Sequence, residues 1–271
     1  VANNAISLEV GEKEIIGIIG ENGAGKSTFC KMLTGIHQPT EGAIYIRGEE
    51  KKFHSPRDSM DAGINMVYQE RNLVGMYTAA QNICLGHEPR HGGMIDSKAV
   101  MQQAMDIRDR LGLTVPLDVP VETLGAGEQQ LIEIMRAFYT NPKILILDEP
   151  TASLGEGEIE PFLNFIKSIK QSMNISIIFI SHKLEEVFEI TNKIAVFTDG
   201  ACVLFRPTAE LTQDMCIRAM LRSDKIKPLD IPVRDLSDSP TVLSVENLFY
   251  DGKEHRMNVD VKKGKILGFY G

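Results

Sequence analysis

The apolar positions in the first part of the chain change from a strand-like to a helix-like spacing. Residues 6–10 (ISLEV) alternate between apolar and polar, as in a half-buried strand, and residues 15–19 (IIGII) form the continuous run of a buried strand. After a glycine-rich loop, the segment KSTFCKMLTG predicts a helix that ends at Gly35. The segment AIYIRG then predicts another strand. The chain therefore opens with strands and a helix joined by short connections.

The alternation of strands and helices continues in the middle of the chain. Helical spacing predicts a helix over residues 97–111, capped by Asp96 or Ser97. Residues 143–148 (KILILD) and 175–181 (ISIIFIS) are apolar runs that predict buried strands. Between these strands, an apolar stripe at helical spacing consists of Ile159, Phe162, Ile166, Ile169 and Met173. Buried strands that alternate with helices predict a fold of the α/β class with a parallel sheet.

A gap-free repeat links the last residues of the chain to its first residues. Residues 257–271 (MNVDVKKGKILGFYG) align with residues 6–20 (ISLEVGEKEIIGIIG). The matched pairs include Val10 with Val261, Gly17 with Gly268, and Gly20 with Gly271. A chance match of two generic strands is the alternative, but the hairpin length and both glycines agree. The repeat predicts a first domain over 1–223 that lacks its first strand, a linker rich in proline and charge over 224–240, and the truncated start of a second domain over 241–271.

Composition and charge restrict the classes of function. The chain has 271 residues, 43% of them hydrophobic, and 29 Lys and Arg side chains against 37 Asp and Glu give a net charge of -8. Because basic residues are not clustered, we expect no nucleic-acid partner. The cysteines lack metal-ligand spacing and indicate reduced thiols in a cytoplasmic protein. The sequence shows neither a signal-peptide pattern nor an apolar run of roughly 20 residues, so we expect any work at a membrane to require a partner.

The segment GENGAGKST carries the first candidate chemistry. Residues 20–27 match the pattern GxxxxGK[ST] and lie between a predicted strand and a predicted helix, which is the context of a phosphate-binding loop. Lys26 is expected to reach the β- and γ-phosphates and the Ser27 hydroxyl to bind Mg2+. A purely structural glycine turn is the alternative, which the Lys-Ser-Thr sequence disfavours. The candidate nucleotide-binding residues are Gly20, Glu21, Asn22, Gly23, Ala24, Gly25, Lys26, Ser27 and Thr28.

Two adjacent carboxylates follow the apolar run of the strand in the segment ILILDEP. Asp148 would lie at the C-terminal edge of a buried parallel strand, where ligands bind in such sheets, and could hold Mg2+ through water. Glu149 would then be placed to orient or deprotonate an attacking water. A solvated loop acid is the alternative for Glu149. The pair therefore predicts nucleotide hydrolysis at the phosphate loop.

Five motifs, in their order and spacing, resemble those of ABC-type ATPases, the ATP-binding subunits of ABC transporters. They are GENGAGKST, VYQE, LGAGEQQ, LILDEPTASL and ISHKLEEVFEITNKIAVFTDG. The resemblance spans nearly the whole chain. It implies a P-loop NTPase fold, an ABC ATPase domain with a mainly parallel core sheet, an antiparallel β subdomain and an α-helical subdomain. It also implies that the C-terminal segment is a fragment of a second ABC domain.

The resemblance assigns further roles to single residues. Gln69 would lie in the loop that touches Mg2+ and the membrane partner, and His182 would be the switch histidine near the γ-phosphate. With Glu149, these residues form the candidate catalytic set. The segment LGAGEQQ would be the signature, so that Gly125, Ala126, Gly127 and Glu128 face the ATP of another ABC domain. Two ATP molecules sandwiched between two domains would then act as a mechanical switch.

Within the family, the motifs most resemble those of the monosaccharide importers of the ribose, galactose and xylose type. The supporting segments are GENGAGKST, GEQQ, SHKLEEVFEI and IRAM. Those subunits carry two ABC domains in one chain, in agreement with the repeat. The resemblance implies ATP and Mg2+ as ligands, a membrane permease and a second ABC domain as partners, and a sugar-binding protein as an indirect one. It places the subunit in the cytoplasm, peripheral on the inner face of the cell membrane.

Three positions depart from the family pattern. Gly125 replaces the usual signature serine, Gly155 replaces a frequent aspartate, and no aromatic residue precedes Phe29 to stack on adenine. Tyr250, carried through the repeat, corresponds to a position just before Val1. A hydrogen bond to a charged group contributes roughly 1.5 to 3 kcal/mol, so we expect the site served by Gly125 to be weakened. This chain is therefore expected to bind ATP weakly and to hydrolyse it slowly.

The residues leave alternatives open for both the function and one surface. An ABC ATPase outside transport, a P-loop kinase, and a nucleotide-gated module without turnover share some or all of these motifs. The stretch 70–90 is expected to dock on a permease. Its apolar residues Leu73, Val74, Met76 and Tyr77 could instead be ordinary core.

Overall fold

The computed structural model describes residues 2–221, 239–249 and 257–268. The chain divides into two compact units, Val1–Asp224 and Lys225–Gly271. All of the expected linker except 239–240 lies outside the described residues, as do Tyr250 and Gly271.

Strands and helices alternate along the first unit. In chain order its elements are β1 (Ile15–Gly20), α1 (Lys26–Leu33), β2 (Ile44–Ile46), β3 (Glu49–Lys51), α2 (Pro56–Asp61), β4 (Ile64–Val67), α3 (Ala79–Ile83), β5 (Arg90–His91), β6 (Met94–Ile95), α4 (Ser97–Arg110), α5 (Ala126–Phe138), β7 (Ile144–Asp148), α6 (Glu156–Ser172), β8 (Ser176–Ile180), α7 (Leu184–Ile190), β9 (Lys193–Thr198), β10 (Ala201–Pro207) and α8 (Gln213–Leu221). Short 3-10 turns cover Val121–Thr123 and Thr208–Glu210. The second unit contains β11 (Thr241–Leu248) and β12 (Met257–Lys262).

The centre of the first unit is a six-stranded sheet with the order β10-β9-β1-β8-β7-β4. All neighbouring pairs are parallel except β9 with β10, which is antiparallel. The prediction of a mainly parallel sheet is therefore confirmed. Parallel strands end at the same edge, so the loops after β1, β7 and β8 meet there.

Local sequence signals explain where the helices beside the sheet begin and end. Helix α1 ends at Leu33, and Gly35 takes a left-handed φ of 72° that stops the helix after its Thr34 cap. Helix α4 begins at Ser97 because the Asp96 carboxylate accepts hydrogen bonds from the backbone N–H groups of Lys98 and Ala99. Of the two expected caps for this helix, Asp96 is the one used.

Two apolar clusters cover the two faces of the sheet. Side chains alternate between them along each strand, so that Ile15 and Ile19 join one cluster and Ile18 the other. The larger cluster contains the apolar sides of α4, α5 and α6, and the smaller one contains Cys30 of α1. Because the core strands are buried on both faces, their sequences are nearly continuous apolar runs.

The predicted strand over residues 6–10 is wrong. Ile6, Leu8 and Val10 do pack half-buried on the smaller cluster, with exposed residues between them, as the alternation indicated. However, residues 6–10 form no ladder with any other segment of the described chain. A strand needs hydrogen-bond partners as well as a suitable pattern. Outside the six-stranded sheet, the described first unit forms two antiparallel strand pairs, β2–β3 and β5–β6.

The described residues of the second unit include one antiparallel strand pair. Strand β11 pairs with β12 in a register that places Val245 opposite Val259. Strand β12 covers the residues that the repeat aligns with 6–11, so the same pattern is a strand here because it has a partner. The described residues of this unit expose several apolar side chains, among them Val242, Leu243, Leu248 and Ile266.

Candidate functional site

The candidate phosphate loop, residues 20–28, runs from the end of β1 into the start of α1. The Lys26 side chain folds back onto this loop. The Lys26 ammonium donates hydrogen bonds to the backbone carbonyl oxygens of Gly20 at 2.7 Å and Glu21 at 3.1 Å. Burial lowers the pKa of Lys26, while the nearby carboxylates of Glu149 and Asp148 act in the opposite direction. The ammonium therefore lies in the loop and has acceptors that a phosphate could replace.

Glycine is required at Gly25, the residue before α1. Its φ is 98°, a left-handed conformation that side chains disfavour, and a Cβ there would lie 2.6 Å from the backbone oxygen of Ala2. The first turn of α1 contains no acidic residue, and within the described chain no side chain caps it. Its backbone N–H groups are therefore available to an anion, as expected of a phosphate loop.

Asp148 and Glu149 stand at the sheet edge beside this loop. Asp148 is the last residue of β7 and only 9% exposed, and burial raises the pKa of its carboxyl, with the Glu149 charge adding to the effect. Glu149 follows outside the strand at a φ of 47°, and its backbone N–H donates to the carbonyl oxygen of Ile180 at 2.9 Å. The chain thus turns sharply at the point where the two carboxylates meet the loop.

Three candidate catalytic residues come together from distant parts of the chain. The Gln69 side-chain amide donates to Glu149 Oε2 at 3.2 Å, and His182 Nδ1 lies 3.3 Å from the same oxygen. All three line a cavity of about 700 Å³ together with Gly20, Glu21 and Asn22. Glu149 is therefore the meeting point of the three segments.

A smaller cavity of about 190 Å³ adjoins the phosphate loop itself. It is lined by Ala2, Asn22, Gly23, Ala24, Gly25, Lys26, Ser27, Thr28, Gln69, Asp148 and Glu149. The candidate metal-binding residues Ser27, Gln69 and Asp148 all belong to this lining, so the three residues border one space. Ala2 was not expected from the sequence, and Asn3 also contacts the loop, donating to the Gly25 carbonyl oxygen at 3.2 Å.

The signature residues lie apart from these cavities. Gly125, Ala126, Gly127 and Glu128 line neither of them and form the start of α5. The Glu128 carboxylate accepts a hydrogen bond from the Gly125 backbone N–H at 3.0 Å. A Cβ on Gly127 would lie 2.6 Å from Glu158 Oε1, so a second carboxylate also approaches this helix start.

The segment after Gln69 is fastened to the signature helix. The Arg71 guanidinium donates to the Gln129 side chain at 2.6 Å, and the Asn72 backbone N–H donates to the Glu133 carboxylate at 2.8 Å. Burial raises the pKa of Glu133. Sequence patterns did not indicate these contacts, because they join residues about sixty positions apart. They tie the loop of Gln69 directly to α5.

The candidate docking surface is divided between core and solvent. Leu73 is half-buried and packs against the larger apolar cluster, and Val74 is also half-buried, whereas Met76 is 76% exposed and Tyr77 is exposed as well. The alternative that these residues are ordinary core therefore holds for Leu73 and fails for Met76 and Tyr77.

Comparison with known proteins agrees with the family resemblance seen in the sequence and with the fold described above. The family model described as "ABC transporter" matches residues 3–152, more than half of the chain. The ribose import ATP-binding protein RbsA of Streptococcus agalactiae serotype Ia is 38% identical over 98% of this chain and 54% of its own length. The ribose import ATP-binding protein RbsA 1 of Agrobacterium fabrum is 36% identical over 100% of this chain and 52% of its own length.

Solved structures agree in fold. A nucleotide-free ATP-binding cassette from an ABC transporter matches with a TM-score of 0.70 and 25% identity, over 83% of this chain and 90% of that chain. The ADP conformation of MJ1267, an ATP-binding cassette of an ABC transporter, matches with a TM-score of 0.68 and 24% identity, over 82% of this chain and 90% of that chain.

The chain spans about half the length of the curated relatives it matches. The family match nevertheless covers the phosphate loop, Gln69, Asp148 and Glu149. With that match and an ATP-binding cassette fold, the chain belongs to the ABC transporter family.

Proposed function

We propose that this chain is the ATP-binding and ATP-hydrolysing part of an ABC transporter that imports a monosaccharide. The main observation in support of hydrolysis is that Gln69 and His182 both contact the Glu149 carboxylate, which lines the cavity beside the phosphate loop. A carboxylate held there by an amide and an imidazole suits a base that orients and deprotonates an attacking water.

The phosphates would bind where the Lys26 ammonium now contacts two backbone carbonyl oxygens. Phosphate oxygens are charged and form stronger hydrogen bonds with an ammonium than carbonyl oxygens do, so Lys26 would exchange its partners on ATP binding. The open N–H groups at the start of α1 would hold the same phosphates. His182 would lie near the γ-phosphate, since it shares the larger cavity with Gly20, Glu21 and Asn22.

Mg2+ would be held by the Ser27 hydroxyl, the Gln69 side-chain oxygen and, through water, the Asp148 carboxylate. These are the oxygen ligands that Mg2+ prefers, and they line one small cavity. The described residues contain no group of three or more His, Cys, Asp or Glu side chains suited to a metal ion. The ion would therefore depend on phosphate oxygens as further ligands, and when bound it would neutralise phosphate charge.

A second ABC domain would complete each ATP site. The signature residues Gly125 to Glu128 lie outside the cavities of their own unit, which suits a role toward the nucleotide of another domain. That domain would be the rest of a longer chain or a second copy of this one. Closure around ATP and opening after hydrolysis would supply the mechanical step.

Sugar import is supported by the relatives, which are named ribose import ATP-binding proteins. The permease would contact the surface that carries the exposed Met76 and Tyr77, and a sugar-binding protein would act through that permease. Within the described residues, no helix is long and apolar enough to cross a membrane. We propose a peripheral position on the inner face of the cell membrane, held by the permease.

A nucleotide-gated module with little turnover is the second candidate. Gly125 favours it, because the signature has no hydroxyl at this position to donate to a phosphate. A non-transport ABC ATPase shares the catalytic residues and differs in its partner. Co-purification with a permease after co-expression would favour transport, and its absence under conditions where ATP is hydrolysed would favour the non-transport function.

Phosphate release measured against protein concentration tests the proposal. Paired copies would form two composite sites, so we expect turnover per chain to rise steeply with concentration and to require Mg2+. Chelation of Mg2+ by EDTA should abolish release, and excess Mg2+ should restore it. Concentration-independent turnover on the order of 1 per second would contradict the need for a second domain. ATP binding without release at any concentration would favour the gated module.

A further inference from the structure

A buried carboxylate, Glu186 of α7, joins the loop of Glu149 to the loop of His182. The Thr151 hydroxyl donates to Glu186 Oε2 at 2.6 Å, and the Ser181 hydroxyl donates to the same oxygen at 3.2 Å. Thr151 follows Glu149 by two positions, and Ser181 directly precedes His182. One carboxylate oxygen therefore connects the two loops that carry the proposed base and the proposed switch histidine.

These three polar side chains are almost completely shielded from solvent. Thr151 and Ser181 are each 2% exposed, and Glu186 is 5% exposed. The other oxygen of Glu186 lies 3.1 Å from the Lys183 ammonium, which offsets its charge, but it accepts no hydrogen bond from the described residues. Inside a protein such hydrogen bonds are strengthened, and an unmade one is costly. The contacts therefore restrain the loops more firmly than surface contacts would.

The two loops need such a restraint. Glu149 has a φ of 47°, a conformation that costs a non-glycine residue of order 1 to 3 kcal/mol unless its surroundings hold it. Its backbone N–H donates to the Ile180 carbonyl oxygen, which is one tether to the strand before His182. The Ser181 hydroxyl also accepts from the Lys183 backbone N–H at 3.0 Å. Glu186 adds the side-chain tether between the same two segments.

We propose that Glu186 is a positioning residue for the proposed ATP hydrolysis. By holding Thr151 and Ser181 on one oxygen, it sets the 3.3 Å separation between His182 Nδ1 and Glu149 Oε2. It acts through these residues and does not itself line the nucleotide cavities. The inference rests on the proposed hydrolysis, and its predicted effect is on turnover while ATP affinity is retained.

The test compares three variants of the 271-residue chain at protein concentrations where the wild type releases phosphate. Glu186→Ala removes the acceptor, Glu186→Gln keeps one acceptor oxygen, and Glu185→Ala is a control at an exposed neighbour. Because misplacement by about 1 Å can lower turnover about a hundredfold, we expect Glu186→Ala to lower kcat by about tenfold to a hundredfold. The Kd for ATP should change little. Glu186→Gln should recover most of the lost kcat, and the control should match the wild type.

A merely structural role gives a different pattern. It would lower the melting temperature and ATP affinity together, and the loss of kcat would multiply when Glu186→Ala is combined with His182→Ala. The positioning role predicts that the double variant loses clearly less than the product of the two single losses. Equal damage by Ala and Gln at position 186, or fully multiplicative losses, would overturn the positioning role.

If Glu186→Ala does not fold, Ser181→Ala removes one of the two tethers. It should still lower kcat with ATP affinity retained, and an unchanged kcat would overturn the inference.

Two further outcomes keep this inference separate from the proposed function. Wild-type turnover with an unaffected Glu186→Ala would overturn the inference alone. A wild-type chain that binds ATP and never releases phosphate would overturn the proposed hydrolysis and this inference with it.

Discussion

Helices α1 and α5 both begin after a glycine, Gly25 and Gly125, and both starts are proposed to contact nucleotide phosphates. At α1 the first turn carries no acid, and the Lys26 ammonium lies in the loop. At α5 the Glu128 carboxylate accepts the Gly125 N–H, and Glu158 reaches Gly127. The positive end of the α5 dipole is thus partly compensated by the chain's own charges. A glycine at a helix start therefore does not by itself make a phosphate site. The acidic side chains near each helix start determine how favourably it could bind the negative charge of a phosphate.

The largest expected effect concerns Glu149, the proposed base beside α1. Glu149→Gln keeps the side-chain shape and removes the base, so ATP should still bind while phosphate release falls by about a hundredfold to ten-thousandfold. Single-turnover assays and ATP titrations on the same preparations would measure both quantities. The exposed Glu160→Gln serves as a matched control on α6. Wild-type turnover in Glu149→Gln would remove Glu149 from its assigned role.

Lys26→Ala removes the ammonium group at the start of α1 and so tests this helix start directly. The wild type at a ligand concentration a hundredfold above Kd should gain about 2.7 kcal/mol of stability against unfolding, seen as a rise in melting temperature with MgATP. The variant should lose that rise, since the ammonium that would bind the phosphates is gone. Lys31→Ala, an exposed lysine on the same helix, should keep it. An unchanged MgATP shift in Lys26→Ala would contradict the assignment of the phosphate loop.

A glycine-to-alanine substitution at each of the two helix starts tests whether their backbones are equally constrained. Gly25→Ala places a Cβ at a φ of 98° against the Ala2 backbone, and we expect it to lower the free energy of unfolding by about 1 to 3 kcal/mol and to weaken ATP binding. Gly127→Ala meets only the movable end of Glu158, and Ala favours a helix by up to about 1 kcal/mol, so stability should change little. Denaturant titrations of both variants measure the difference. Equal losses would mean that the two starts are equally constrained.

The smallest expected effect is at Glu128. Glu128→Gln keeps an oxygen for the Gly125 N–H and removes one negative charge from the start of α5. A charge at a helix end is worth about 0.3 to 1 kcal/mol, so phosphate release at high protein concentration should rise by about two- to fivefold. The free energy of unfolding without nucleotide should fall by a similar small amount, because a negative charge at a helix N-terminus stabilises the helix. A fall in phosphate release would show that the Glu128 charge does not oppose an anion at this helix start.

The candidate site could be predicted residue by residue but not as an arrangement. The strand, loop and helix around Lys26 are specified by residues close to them in the sequence, and so is the Asp96 cap of α4, so these features could be predicted. The contact between Gln69 and Glu149 joins residues 80 positions apart. Only the resemblance to a family brought these residues together before the fold was known. The Glu186 tether was missed because neither its spacing nor its type distinguishes it from a surface acid of a helix.

The sequence by itself determined the elements whose signals are local: the apolar runs of β7 and β8, the phosphate loop with its required Gly25, and the repeat that aligns residues 6–20 with 257–271. The tertiary structure alone decided what depends on a partner. Residues 6–10 and 257–261 carry the same alternation, yet only the second segment is a strand, because β11 lies beside it. Likewise Leu73 is packed while Met76 is exposed, and Glu149 meets His182 only where β7 and β8 end side by side. A pattern specifies which face of a segment is apolar, but hydrogen-bond and packing partners come from remote parts of the chain, and the fold selects them.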